Sequence, residues 1–174
     1  ISRVLRDAGC VICAQTATIA PADRRLYALR DRVELVESAP LIASSIVSKK
    51  IAEDLDALVL DVKAGSGSFL VDIPTGRELA RTMVDLASAA GVTASARITW
   101  MGRPLGRAVG HTLEIEETRA TLRGEGSADL VEITGALGGD LLAAVGLAED
   151  EPAGHAAVAR TLAGGQGLER FERM

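Results

Sequence analysis

The chain has 174 residues and a formal net charge of −5; apolar residues make up 48% of it and aromatic residues only 2%. Such a chain can bury one real core, which here must be built from Ala, Val, Leu and Ile. It has no basic stripe interleaved with aromatics, no signal-peptide pattern and no apolar run of roughly 18–20 residues. These features exclude nucleic-acid binding and membrane insertion and predict a cytoplasmic protein.

The first predicted elements are a helix end and a strand. Residues 1–8 have the pattern of a helix that Gly9 stops; it lacks a start signal, as expected of a chain cut from something longer. The apolar run 11–15 predicts a buried strand. Cys10 and Cys13 have the C-x-x-C spacing of some redox motifs. On a strand, residues three apart point to opposite faces, so we predict two buried free thiols.

Two helices follow, the first opened by Pro21 and the second running from about residue 41 to residue 53. Positions three or four apart share a helix face, so Tyr27 should lie beside Arg30, and Ser45 beside Lys49.

Side by side, these two helices could present a phenol, a guanidinium, a hydroxyl and an ammonium to one small ligand. This set suits a flat, neutral ring with carbonyl oxygens and a ring N–H. Spacing alone leaves open that Arg30 and Lys49 are solvated helix charges.

The middle of the chain predicts a strand at 57–62, an amphipathic helix at 75–90 and a strand at 92–99. This order indicates a parallel crossover and an α/β fold class, part of a mixed or parallel sheet flanked by helices. Ligands of such sheets lie beyond the carboxyl ends of the strands, where the Gly-rich loop 63–69 follows the first strand. The loop matches neither a Walker loop nor G-x-G-x-x-G; it is a tight turn or a wall of a sugar or phosphate site. Further helices are predicted up to the last turn, 168–174.

The chain carries, in colinear order, QTATIAPADRRLYALRD at 15–31, SAPLIASSIVSKK at 38–50, LDALVLDVKAGSGSF at 55–69, and PLGRAVG at 104–110 followed by LEIE at 113–116. Together these segments resemble the signature of the thymidine and pyrimidine-nucleoside phosphorylases, and the match covers nearly the whole chain. The resemblance implies reversible transfer of a ribosyl or deoxyribosyl group from a pyrimidine nucleoside to phosphate. It also implies that Tyr27, Arg30, Ser45 and Lys49 contact the base, with Arg30 and Lys49 as the catalytic cations.

The resemblance further implies a domain organisation. Residues 1–21 would begin an α/β domain, residues 22–53 would supply a helical pair to a small all-α domain, and residues 54–174 would continue the α/β domain into C-terminal helices. By this resemblance, the chain would lack the upstream phosphate loop and the C-terminal β domain of relatives. The chain would therefore carry the base-binding half of a cleft, and we expect the isolated piece to be inactive.

The implied partners are a pyrimidine nucleoside, phosphate as co-substrate and a second copy of the protein, which would dimerise through the helical domain. No cofactor is implied. A structural cation, K⁺ or another, would be held by the carbonyl oxygens of Leu105 and Ala108 and the carboxylate of Glu117, because hard cations take oxygen ligands. From the sequence alone, Glu117 could equally be a solvated helix acid.

Two other functions stay open. One is an anthranilate phosphoribosyltransferase-like reaction, which needs an acidic metal–diphosphate site that the sequence does not display. The other is a non-catalytic dimerisation fragment. The sequence does not separate a thymidine from a uridine preference.

Overall fold

A computed structural model gives the fold and describes residues 1–13, 16, 18–35 and 37–174. Within these ranges the elements are α1 Ser2–Ala8, α2 Pro21–Arg32, α3 Ala39–Ile51, β1 Ala57–Ala64, α4 Ile73–Ala89, β2 Thr93–Trp100, α5 His111–Leu122, α6 Ala128–Ala144, α7 Glu151–Ala163 and α8 Gln166–Arg173. They form two compact units: one is Ile1–Ala14 with Pro104–Met174, and the other is Gln15–Arg103. The domain division predicted at residues 21 and 53 stays a prediction.

The unit Gln15–Arg103 is built on a two-stranded parallel sheet. Strand β1 pairs with β2 from Ala57 opposite Thr93 to Ala64 opposite Trp100. Helix α4 connects the strands and begins where the Asp72 carboxylate accepts the N–H of Thr75 at 2.8 Å. The predicted strand–helix–strand order and the α/β class are confirmed.

The core of this unit lies on one face of the sheet. Burial alternates along β1, as expected for a strand covered on one side. The buried apolar residues are Ala43, Val47, Leu58, Leu60, Val62, Leu79, Ala80, Met83, Ala87 and Val92. Since Ala43 and Val47 belong to α3, their burial fixes the rotation of that helix about its axis. The core thereby sets the directions in which Ser45 and Lys49 leave α3.

The other unit is helical in its described part. Helices α6 and α7 pack closely through small residues; a Cβ added at Gly154 would lie 2.5 Å from the carbonyl oxygen of Gly139. Arg170 of α8 donates a hydrogen bond to the carbonyl of Ala8 at 3.4 Å, which ties α8 to α1. Among the helices described in either unit, none combines the length and apolar composition that a membrane crossing requires.

The N-terminal strand predicted over residues 11–15 is not found in the part of that segment which the structure describes. Residues 11–13 have no regular secondary structure, and Ala14 and Gln15 lie outside the described residues. A strand is held by hydrogen bonds to a neighbour, and β1–β2 is the one sheet among the described residues. The prediction of buried cysteines is also wrong: Cys10 and Cys13 are exposed free thiols.

Candidate functional site

Helices α2 and α3 bring the four residues predicted to contact a base around one cavity. The cavity, called here the polar cavity, has a volume of about 230 Å³. It is lined by Tyr27, Arg30, Ile42, Ser45, Ile46, Lys49 and Phe69. The helical spacings of three and four residues place each polar pair on one helix face, as the sequence predicts. That these residues bind a base stays a prediction.

Arg30 is a buried cation in this cavity. Only 8% of the residue is exposed, and its guanidinium carbon lies 4.7 Å from the centroid of the Tyr27 ring. Its Nε is buried and has no hydrogen-bond partner among the described residues. A buried donor left without an acceptor costs about 1–3 kcal/mol of folding free energy. An acceptor on a bound ligand or a water molecule would remove that cost.

Lys49 belongs to a network that crosses from α3 to α2. Its Nζ donates to Oδ2 of Asp23 at 2.8 Å and to Oγ of Ser45 at 2.9 Å. The side chains of Lys49 and Asp23 are 26% and 10% exposed. An ammonium has three N–H donors, so one of them remains for a ligand in the polar cavity.

Asp23 is ionised within this network. Burial alone would raise the pKa of Asp23, but hydrogen bonds from Lys49 and Ser45, together with the charges of Lys49 and Arg30, outweigh burial and lower that pKa below its ordinary value. An ionised carboxylate only accepts hydrogen bonds. Asp23 therefore accepts the hydrogen bond that the Lys49 ammonium donates at 2.8 Å.

Sequence reasoning missed two residues of this region, Asp23 and Phe69. Asp23 precedes Tyr27 by four residues and Arg30 by seven, so its place on the same helix face could have been found from helical spacing. Phe69 has no comparable signal. It ends the Gly-rich loop, twenty residues after Lys49, and only the tertiary packing of the unit Gln15–Arg103 brings it to the polar cavity.

The Gly-rich loop is both a tight turn and a wall of the polar cavity. The N–H of Gly65 donates to the carbonyl of Leu70 at 2.9 Å, and the N–H of Gly67 donates to the carbonyl of Met101 at 2.8 Å. A Cβ at Gly65, where φ is +136°, would lie 2.9 Å from the carbonyl oxygen of Met101. Because glycine has no Cβ, the loop can lie close to the backbone of Met101. This close approach determines the position of Phe69.

A second polar group lies at the carboxyl ends of the strands, where ligand contacts were expected. The Lys63 ammonium lies 2.6 Å from Oδ2 of Asp61 and donates to Oγ1 of Thr99 at 3.0 Å. The Thr99 hydroxyl in turn donates to Asp61. These side chains satisfy one another and tie β1 to β2, so the site we assign lies at α2 and α3 instead.

A mostly apolar cavity of about 180 Å³ adjoins the polar one and shares Tyr27, Arg30 and Ser45 with it. Its other lining residues are Asp23, Leu26, Leu29, Val33, Leu35, Leu41 and Ser44. Leu26 and Leu29 are 65% and 57% exposed. Helix α2 therefore has one face against the polar cavity and an apolar surface beside it.

The carboxylate of Glu117, one of the groups predicted to hold a cation, accepts hydrogen bonds from two backbone N–H groups. Oε1 of Glu117 accepts the N–H of Arg107 at 2.7 Å, and Oε2 accepts the N–H of Ala108 at 3.2 Å. Within the described residues, no group of three or more His, Cys, Asp or Glu side chains could hold a metal. The cation site at Leu105, Ala108 and Glu117 stays a prediction.

Comparison with known proteins assigns this chain to a family. The chain belongs to the family described as "Glycosyl transferase family, a/b domain", whose sequence pattern matches residues 1–168. The resemblance predicted from the sequence is confirmed at this level.

Among curated relatives, thymidine phosphorylase of Rhizobium meliloti (strain 1021) is 48% identical over 99% of the chain and 39% of its own length. Thymidine phosphorylase of Mycobacterium tuberculosis (strain ATCC 25618 / H37Rv) is 49% identical over 98% of the chain and 38% of its own length. Thymidine phosphorylase of Homo sapiens is 45% identical over 98% of the chain and 36% of its own length. The chain thus spans less than two fifths of the length of these relatives.

Proposed function

We propose that this chain is the base-binding part of a pyrimidine-nucleoside phosphorylase, a pentosyltransferase that acts on thymidine or uridine. The observation that carries the proposal is the convergence of Tyr27, Arg30, Ser45 and Lys49 on one cavity. The similarity to three thymidine phosphorylases supports it.

In the proposed reaction the glycosidic C–N bond breaks and a C–O bond to phosphate forms. The base leaves with the electron pair of the broken bond, negative charge spreads onto its carbonyl oxygens, and the base then takes up one proton in exchange for the proton that phosphate loses. Arg30 and Lys49 would donate hydrogen bonds to these oxygens. Because that charge grows as the bond stretches, such donors stabilise the transition state more than the bound nucleoside. Tyr27 would hold the Arg30 guanidinium in place by stacking.

Phosphate is the proposed co-substrate, and we assign no residue of this chain to it. The chain would supply base recognition, and other parts of a longer protein would supply the phosphate site. We therefore expect the isolated 174-residue chain to bind a pyrimidine base without cleaving a nucleoside. The proposal places the reaction in the cytoplasm.

An assay of the full-length protein tests the reaction. With thymidine or uridine and inorganic phosphate, we expect release of the free base and of the sugar 1-phosphate in equal amounts. The same protein, given anthranilate and phosphoribosyl diphosphate, should form no product. Product in the second reaction alone would replace the proposal with the phosphoribosyltransferase alternative.

Calorimetric titration of the chain with thymine or uracil tests the site itself. We expect Arg30→Ala and Lys49→Ala to abolish measurable binding. Lys50→Ala is the matched control, since Lys50 is the neighbouring lysine and its exposed ammonium pairs with Glu53 at 2.9 Å. An equal loss of base binding in all three variants would mean that binding depends on the general positive charge of the chain and not on a specific base site.

We also propose that the full-length protein is a homodimer. The exposed apolar side chains of α2, Leu26 and Leu29, support this, because such clusters on a soluble surface commonly mark protein contacts. Analytical ultracentrifugation should show a dimer that Leu26→Glu dissociates. A monomeric wild type would refute this part and would also refute the alternative of a non-catalytic dimerisation fragment.

A further inference from the structure

We infer that Asp23 is a positioning residue for the proposed reaction: its carboxylate holds the Lys49 ammonium so that one N–H of that ammonium is aimed at the leaving base. The inference rests on the proposed function, because Lys49 acts there as a catalytic cation. Asp23 is not among the residues that line the polar cavity in the described part of the chain. It lines the adjoining apolar cavity instead, so it would act through Lys49 and not by touching the base.

Two hydrogen bonds restrain the Lys49 ammonium. Its Nζ donates to Oδ2 of Asp23 on α2 at 2.8 Å and to Oγ of Ser45 on α3 at 2.9 Å. An ammonium nitrogen is tetrahedral and has three N–H donors besides its bond to Cε. The bond to Cε and the two donated hydrogens therefore fix three of its directions. The third N–H has a single direction left, and Lys49 lines the polar cavity.

The hydrogen bond to Asp23 is the one that fixes Lys49 relative to α2, the helix that carries Arg30. The hydrogen bond to Ser45 joins two residues of α3 and cannot do this. Lysine has a compact charge on a flexible four-carbon stem, and ordering that stem costs conformational entropy. The Asp23 side chain, which is 10% exposed, orders it when the chain folds. Donors that are fixed before the reaction stabilise developing charge without reorganising.

Asp23 also balances the charge of the site. Arg30 and Lys49 place two positive charges around one cavity, and these charges repel each other. Burial raises the pKa of Asp23, but the hydrogen bond from Lys49 and the charges of both cations lower it further, so the carboxylate is ionised. Two cations and one carboxylate leave one net positive charge. This charge matches the single negative charge that a leaving base develops.

Kinetics of the full-length protein measure the positioning. Asp23→Asn keeps the shape of the side chain and removes its charge. We expect it to lower kcat for thymidine about tenfold, with KM within about threefold of wild type, because a misplaced donor is missed mainly in the transition state. Asp31→Asn is the matched control, since Asp31 is an exposed aspartate on the same helix, and it should change neither constant. An unchanged or higher kcat in Asp23→Asn, or a loss confined to KM, overturns the inference.

Removal of Lys49 distinguishes positioning from support of the fold. In a Lys49→Met background Asp23 has no ammonium to hold, so adding Asp23→Asn should change kcat/KM by less than about twofold. A residue that only supported the fold would lower the activity by the same factor in both backgrounds. That outcome also overturns the inference.

The melting temperature gives a readout that does not need activity. Asp23→Asn should lower the melting temperature in the wild-type background but not in the Lys49→Met background, where the carboxylate has already lost its ammonium. A fall in the Lys49→Met background overturns the inference, and this comparison remains decisive if Asp23→Asn alone does not fold. Failure of the proposed function has a different signature: the wild type would cleave neither thymidine nor uridine, while the melting temperatures would still couple Asp23 to Lys49.

Discussion

The guanidinium carbon of Arg30 lies 4.7 Å from the centroid of the Tyr27 ring, one helical turn earlier on α2. This stacking holds the cation without neutralising it, whereas the Asp23 carboxylate holds the ammonium of Lys49 at 2.8 Å. A cation over an aromatic face gains about 0.5–2 kcal/mol, less than the full cost of burying a charge. The folded chain thus keeps an incompletely satisfied cation at the position where the proposed leaving base would develop negative charge.

Arg30→Met should lower the activity of the protein without lowering its stability. Methionine keeps much of the aliphatic volume and removes a buried, unpartnered Nε, so we expect the melting temperature to stay within about 2 °C of wild type or to rise. The kcat/KM for thymidine in the full-length protein should fall by about 10²–10³-fold, as when one transition-state donor is lost. Thermal denaturation checks the expected melting temperature, and steady-state kinetics check the expected fall in kcat/KM.

Arg32→Met is the control for this change, because Arg32 is an exposed arginine at the end of the same helix. It should leave kcat/KM within about twofold of wild type, as for most surface substitutions. A large drop in melting temperature for Arg30→Met would contradict the assignment of Arg30 as an incompletely satisfied, functional cation.

The stability that Asp23 contributes should depend on pH. Its pKa is lower in the folded chain than its ordinary value of 3.8, so its contribution is present above that value and is lost as pH falls through the lowered folded pKa. At neutral pH we expect Asp23→Asn to cost about 2 kcal/mol, between the values for exposed and buried ion pairs. The difference in melting temperature between wild type and variant should shrink as pH falls below about 4 and the wild-type carboxyl becomes neutral. A difference that stays constant from pH 7 to pH 3 would argue against the ion pair.

The sequence alone predicted the elements that local rules control. Gly9, Pro21 and the strand–helix–strand order place the boundaries of α1, α2 and the parallel pair within a few residues. The spacings of Tyr27 with Arg30 and of Ser45 with Lys49 predicted which side chains share a face, and the structure shows them around one cavity.

Features that depend on distant partners could not be predicted in this way. The run 11–15 has the composition of a strand, but composition does not supply a neighbour to pair with, and Cys10 and Cys13 are exposed. The Glu117 carboxylate faces N–H groups because of the conformation of the 106–108 loop, which residue identity does not fix. Phe69 reaches the polar cavity only through tertiary packing.

The Gly-rich loop should be intolerant of a side chain at Gly67. A Cβ there would lie 2.9 Å from the carbonyl oxygen of Met101, which also accepts the Gly67 N–H. Gly67→Ala should therefore move the loop and lower the melting temperature by about 2–6 °C, corresponding to about 1–2 kcal/mol. Because Phe69 lies two residues further on, the KM for thymidine should rise in the full-length protein. Ser66→Ala, at an exposed neighbouring position, is the control and should change neither quantity.

Glu117 should stabilise the 106–108 loop through its two backbone hydrogen bonds. In Glu117→Gln one oxygen still accepts an N–H, but the new amide nitrogen faces the other N–H donor, so we expect a loss of about 1–2 kcal/mol. Glu116→Gln, the exposed neighbour on α5, should cost little. The same melting measurements test the predicted cation: exchange of tetramethylammonium for K⁺ should raise the melting temperature of wild type and not of Glu117→Gln. If K⁺ raises neither or both, Glu117 is a loop-capping acid and not a cation ligand.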